Sequence, residues 1–306
     1  MSLVISKILP LLFILLIGVI LQKSREINED VISGLKFIIL KISLPAALFF
    51  AFSKADLELN YTLLFLLVFA YCCLLYVIGF LLKSKLKFEY TAPYFTGFEF
   101  GMLGVALFTS IWGIENLSLF ALIGLGHELF IWFVYAPILK HKNSDSVSFV
   151  NSFLSFLKSP IIIAIVVGIL VNVTGIHSTI EANLIGYGII QTLEILAVIT
   201  SPLILIVVGY SLRLKSANWM ASFKMIFIRF AVVMVLGLGL YQLLVLILGE
   251  IDSLFFKAFM AFIILPPPFI LPIMMRKDSD EILFFNNTII IYTLWSFLCF
   301  IGLMLW

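Results

Sequence analysis

Three consecutive prolines, Pro266, Pro267 and Pro268, stand in the middle of residues 254–275, an apolar run long enough to cross a bilayer. A fourth, Pro272, follows in the same run. No α-helix continues through such a triplet, because each proline lacks an N–H and clashes with the carbonyl one turn back. Broken backbone inside hydrocarbon persists only where protein buries it or water lines it. In transporters, interrupted spans of this kind mark the substrate site near the membrane midplane.

The chain around the triplet takes lipid as its solvent. Hydrophobic residues make up 63% and charged residues 12%, against about 25% charged in soluble proteins. At about 20 residues per crossing, apolar runs near 4–22, 33–53, 61–83, 90–112, 117–139, 159–176, 184–212, 219–248, 254–275 and 283–306 predict roughly ten transmembrane helices. The expected architecture is an all-α polytopic membrane protein with short connections. The longest polar stretch separates a first five-helix repeat (1–139) from a second (159–306) by a connecting loop (140–158) that holds His141-Lys142-Asn143-Ser144-Asp145-Ser146. The opening Met-Ser-Leu-Val-Ile lacks a basic segment and a small-residue cleavage site, so it reads as a retained first span.

Lysine and arginine are distributed unevenly between the two sets of connections. Those after odd-numbered spans hold Lys23, Arg25, Lys83, Lys85, Lys87, Lys140, Lys142, Lys158, Arg213, Lys215, Arg276 and Lys277. The opposite side has Lys7, Lys54 and Lys257. The positive-inside rule then puts odd-numbered connections, including 140–158, in the cytoplasm and both termini outside a multi-pass plasma-membrane protein. Trp112, Trp219 and Trp306 fall near span ends, as an aromatic belt requires.

The two halves resemble each other. Leu44-Pro45-Ala46-Ala47-Leu48-Phe49 in the second span has a counterpart in Ser201-Pro202-Leu203-Ile204-Leu205-Ile206 in the seventh. The fourth span is interrupted by Gly97, Gly101 and Gly104, and the ninth by its prolines. An offset of five spans reverses the sense of entry, so the expectation is a five-plus-five inverted repeat with weak spans at corresponding positions.

Ionisable residues inside spans are functional candidates by default. Glu99 sits in the glycine-broken middle of the fourth span, where a charge is costly, which suits a group that loads and releases a proton; the same carboxyl group could instead satisfy freed backbone at the break. His127 and Glu128 lie mid-way along the fifth span, about 100° apart on a helix, and are candidates for coupling or for interhelical hydrogen bonding. Lys41 and Glu194 lie towards opposite sides and read as structural, Lys41 by snorkelling. Asn286, Asn287, Thr288, Thr293 and Ser296 in the tenth span could line a cavity beside the ninth-span break or join helices. The substrate-binding candidates are Glu99, Phe100, Gly101, Pro266, Pro267, Pro268 and Asn287; the coupling candidates are Glu99, His127 and Glu128.

Other classes find little support. The net charge of +2 offers nothing to nucleic acid, and the 31 phenylalanines read as lipid-facing or core material. Cys72, Cys73 and Cys299 have neither metal-ligand spacing nor a disulfide framework. A phosphate-binding Walker loop, a zinc-protease helix and a nucleophile elbow are all missing. No enzyme, cofactor or metal site is expected, and coupling is left to H+ or Na+.

Several fragments in order resemble the auxin efflux carrier family, which belongs with bile-acid/sodium symporter-like proteins. They are Ile8-Leu9-Pro10, Leu44-Pro45-Ala46, Lys158-Ser159-Pro160, Ser201-Pro202-Leu203, Gly209-Tyr210-Ser211-Leu212, Leu265-Pro266-Pro267-Pro268 and Tyr292-Thr293-Leu294, and they run over nearly the whole chain. The resemblance implies ten helices in which the broken fourth and ninth cross within a mobile transport unit. It implies a scaffold of helices one, two, six and seven that pairs in a homodimer. It further implies secondary active transport, by alternating access, of a small organic acid such as auxin or a dicarboxylate.

The fourth span departs from that family's pattern, in which Gly-Asn precedes a glycine and then Leu-Gly-x-Pro. Phe98-Glu99 stands at the Gly-Asn pair, Gly101 at the glycine, Leu103-Gly104 at Leu-Gly and Ala106 at the proline. An ionised Glu99 would repel a carboxylate by several kcal/mol at short range and low dielectric. An acid then binds with Glu99 protonated, or the cargo is neutral or cationic. A sodium-coupled symporter is the other carrier alternative; a membrane sensor and a passive channel are the readings outside that class.

Overall fold

The computed structural model describes residues 2–55, 61–142, 149–212, 219–249, 252–276 and 278–305. Asn143, Ser144, Asp145 and Ser146 of the connecting loop, with Arg213, Lys215, Lys277 and Trp306, lie outside the described residues. Every regular element among those described is helical.

Along the chain, α1 (Ser2–Leu21) is followed by α2 (Glu29–Ile38) and, through a π-helical turn at Ile39–Ser43, by α3 (Leu44–Ser53). Next come α4 (Tyr61–Leu86), α5 (Thr91–Phe95), α6 (Val105–Trp112), α7 (Leu117–Phe130) and α8 (Ala136–Lys142). The second half has α9 (Phe149–Leu157), α10 (Pro160–Thr174), α11 (His177–Ala182), α12 (Leu184–Val198) and α13 (Thr200–Ser211). It ends with α14 (Trp219–Leu248), α15 (Ser253–Ile263), α16 (Ile270–Met274) and α17 (Glu281–Leu305).

Seven helical segments are long and apolar enough to cross a membrane: Glu29–Ser53, Leu63–Leu86, Thr91–Trp112, Ile114–Lys142, Leu184–Ser211, Trp219–Ile247 and Glu281–Leu305. The remaining three expected spans contain shorter apolar helices, Ile8–Leu21, Pro160–Thr174 and Ser253–Ile263. The last is short because the proline triplet ends it. The stretch 140–158 is not loop throughout, because α9 occupies its second half. Phe149, Phe153, Phe156 and Leu157 recur there at helical spacing. The seventh expected span is interrupted at Ile199, which separates α12 from α13.

The chain divides into two compact units, and each draws segments from both halves of the sequence. The first comprises Met1–Leu57, Gly101–Ala121 and Leu154–Leu212. Within it α1 packs on α13 and α10 packs on α3. Apolar helices gain little from burying apolar surface against each other in lipid, so small residues that let backbones approach matter most. Gly18 and Gly209 supply that approach between α1 and α13: a Cβ on Gly18 would run into the Ile206 carbonyl oxygen, and one on Gly209 into that of Leu15. Gly168 of α10 lies in the same way against Phe49 O, 2.9 Å from where its Cβ would be. Asn172 then closes the end of α3, its Nδ2 donating to Phe52 O at 3.1 Å and Ala55 O at 2.7 Å.

The second unit comprises Glu58–Phe100, Leu122–Phe153 and Arg213–Trp306. Here α4 packs on α5 and α14, and α14 packs on α17. Tyr71 of α4 donates from its hydroxyl to Val233 O of α14 at 2.8 Å. Ser222 of α14 and Thr288 of α17 share a buried hydroxyl–hydroxyl bond of 2.9 Å. Such bonds join helices where water cannot.

Candidate functional site

The second unit brings the two interrupted segments together. After α5 the chain leaves helical conformation at Thr96, turns at Gly97 with φ +72°, and resumes as a π-helical turn from Phe100. After α15 it runs through the buried Pro266–Pro268 and re-enters a helix at Ile270. A positive φ of this size suits glycine. Space demands it as well, because a Cβ on Gly97 would stand 2.8 Å from Pro268 Cγ.

Each break strips backbone groups of helical partners, and buried groups of that kind must find others. Carbonyls along the proline break are taken in succession. Ser296 Oγ donates to Ile264 O at 2.7 Å. Arg229 Nη1 donates to Leu265 O at 3.3 Å, and the Glu99 N–H donates to Pro266 O at 2.8 Å. The Phe269 N–H would bond Leu265 O in a continuous helix; it donates instead to the Glu99 carboxylate at 2.6 Å. Glu99 thus holds the break at the proline triplet twice, once through its backbone and once through its side chain.

The break at Gly97 is wrapped in the same manner. Arg229 donates from Nε to Tyr94 O at 2.9 Å and from Nη2 to Gly97 O at 2.8 Å. Thr96 Oγ1 donates to Cys72 O at 2.6 Å. The Phe98 N–H donates to His127 Nε2 at 2.9 Å. A ring nitrogen that accepts carries no proton, so His127 is the neutral tautomer with its proton on Nδ1. Nδ1 is buried without a hydrogen-bond partner among the described residues, and Glu128 Oε1 lies 3.8 Å from it.

Apolar packing closes the site. The Phe98 and Phe262 rings stand 4.5 Å apart, with His127 edge-on to Phe262 at 5.7 Å. Phe100 presses on Gly124, where a Cβ would overlap its ring. Glu99 is 8% exposed and Arg229 is wholly buried. At the entry to α5, the Glu281 carboxylate accepts the N–H groups of Glu89 at 2.7 Å and Tyr90 at 3.2 Å. Free N–H groups and the helix dipole both favour an anion there. A cavity of about 720 Å³ opens beside that entry, lined by Phe80, Lys83, Lys87 and Glu281 among others.

The structure therefore gathers Glu99, Pro266, Pro268 and His127 into one cluster, with Phe100 and Glu128 at its edge. Gly101 belongs to the first unit, where its nearest side chain is Leu44. Asn287 is wholly buried in α17, while Ser296 of the same helix reaches the break. Lys41 is exposed, and Glu194 accepts from Gln191 Nε2 at 3.2 Å. These two form no ion pair among the described residues. Arg229 adds to the candidates drawn from the sequence. An arginine inside the 30-residue apolar α14 is the signal that identifies it, because a charge there needs buried partners.

No protein-family model matches this chain, and no curated protein matches it.

Proposed function

We propose that this protein is a secondary transporter of the auxin efflux carrier type, moving a small organic solute by alternating access around the meeting point of its two breaks. One observation carries the reading: Glu99 bonds the second break through both its backbone and its carboxylate. A single ionisable group thereby joins two interrupted segments, and in transporters such interrupted segments form the substrate site.

The packing of the first unit supports the ten-helix inverted repeat. The first expected span pairs with the seventh, and the sixth with the second. An inverted repeat generates such reciprocal pairs, because exchanging the halves turns one into the other. The glycines at these contacts correspond too, Gly18 in α1 and Gly168 in α10 each lying against a partner backbone. The first unit also gathers the spans assigned to a scaffold, although Gly101–Ala121 clusters with them. The reading includes both termini outside, the plasma membrane, and a homodimer through the scaffold.

The cargo we infer is an organic acid that binds with Glu99 protonated. An ionised carboxylate so placed would repel a second one. Releasing Phe269 and gaining a proton would free the site for the substrate anion. Counterflow in proteoliposomes tests this: saturable exchange of a mono- or dicarboxylate, faster at pH 5.5 than at 7.5, is the expected result. Exchange of amines or neutral solutes alone would replace the cargo class. Non-saturable flux would mean a channel, and ligand binding with no flux a sensor.

A further inference from the structure

Arg229 donates hydrogen bonds to three backbone carbonyls among the described residues: Tyr94 O and Gly97 O in the fourth segment, Leu265 O in the ninth. Tyr94 and Leu265 stand at the closing ends of α5 and α15, where unpaired carbonyls concentrate negative charge. Carbonyl oxygens converging from unwound backbone and half-helix ends are what a membrane protein uses to hold a bare cation at midplane. Here the cation is covalently attached. Its charge is permanent, because guanidinium does not deprotonate in proteins. The faces of Tyr292, Phe98 and Tyr94 surround it, with centroids 4.8, 5.3 and 5.9 Å from Cζ, and it is wholly buried. A second cation at these oxygens would meet both occupied acceptors and a like charge at short range.

We infer that Arg229 is a built-in counterpart of a coupling ion: its guanidinium fills the carbonyl cluster between the two breaks, so the protein takes no sodium there, and removing the side chain turns the cluster into a monovalent-cation site. For its meaning in transport the inference rests on the carrier reading above. It removes sodium at this site from the candidate driving ions and leaves the proton on Glu99.

The test is thermal unfolding of the purified full-length protein, which does not depend on flux. Wild type, Arg229→Ala and Arg229→Lys are compared in sodium chloride, in choline chloride of equal ionic strength, and in choline chloride with added methylguanidinium. A ligand that binds only the folded state raises the Tm by an amount that grows with the logarithm of its concentration over Kd. The expected result is a wild-type Tm that is the same in sodium and choline. Arg229→Ala should melt lower in choline and recover on adding sodium or methylguanidinium. Arg229→Lys keeps the charge without the fork and should melt lower with no response to sodium. Stabilisation of wild type by sodium over choline overturns the inference, and so does a folded Arg229→Ala indifferent to both added cations. Should Arg229→Ala not fold in any of the three media, the sodium response of Arg229→Lys decides: none supports the inference, a rise in Tm overturns it. A protein that passes this test yet moves no solute would fail the transport reading alone.

Discussion

Gly97 and Pro268, far apart in sequence, meet so closely that a single methyl group on the glycine would stand 2.8 Å from the proline ring. Gly97 also has φ +72°, a conformation that costs an L-residue about 1–2 kcal/mol before any clash is counted. Gly97→Ala should therefore lower the Tm clearly. Gly239→Ala is the matched control, because nothing lies within 4 Å of the added methyl; its Tm should be unchanged or slightly higher. Equal melting of the two variants would mean that the breaks do not meet as described.

Glu99 can be separated into its hydrogen-bonding and its titrating roles. Glu99→Gln keeps an oxygen to accept the Phe269 N–H and should melt near wild type. Glu99→Ala leaves that N–H without its acceptor, a loss of about 1–3 kcal/mol, and should melt lower. In proteoliposomes, Glu99→Gln should lose the preference for low pH, since the site no longer takes up a proton. A pH profile that survives the substitution would end the proposed proton coupling.

His127 serves the break as an acceptor for the Phe98 N–H. Glutamine can offer its side-chain oxygen near the position of Nε2 without titrating. His127→Gln should then retain both stability and the pH profile of transport. His127→Leu should melt lower, by about 1–3 kcal/mol for the orphaned N–H. Loss of the pH profile in a stable His127→Gln protein would instead make this histidine part of the coupling.

Gly18 is tested through the contact of α1 with α13. A Cβ there would overlap the Ile206 carbonyl, and backbone cannot step aside as a flexible side chain can. Gly18→Ala must push the helices apart, an overpacking cost of about 1–3 kcal/mol. Gly34→Ala, with open space around it, should leave the Tm nearly unchanged. Denaturant or thermal unfolding of the two variants decides the matter.

Much of the fold is legible in local sequence. Hydropathy along the chain picks out the apolar helices, and the proline triplet announces the break after Ile263 because a missing N–H is a property of the residue itself. Glu99 stands out for the same reason, as a carboxyl group among glycines in an apolar run. Arg229 was equally conspicuous as an arginine in an apolar run, yet its task was not, because its acceptors are carbonyls 36 to 135 residues away. Backbone carbonyls carry no residue identity, so no motif points to them. The π-helical turns at Phe100–Gly104 and Ile131–Tyr135 have no sequence signature for a similar reason: an added residue per turn answers to neighbouring packing, not to composition.

By itself, then, the sequence determined that this is a helical chain suited to a membrane, that two segments must break, and that Glu99 lies at one of the breaks. Those are consequences of side-chain solvation and of proline and glycine geometry, which act over a turn or two. Only the tertiary structure decided that the breaks meet, that Glu99 holds Phe269 while Arg229 holds Tyr94, Gly97 and Leu265, and that His127 accepts instead of donating. Those pairings follow from the need to satisfy every freed backbone group in a dry interior, and which partner answers depends on where the whole chain has been brought.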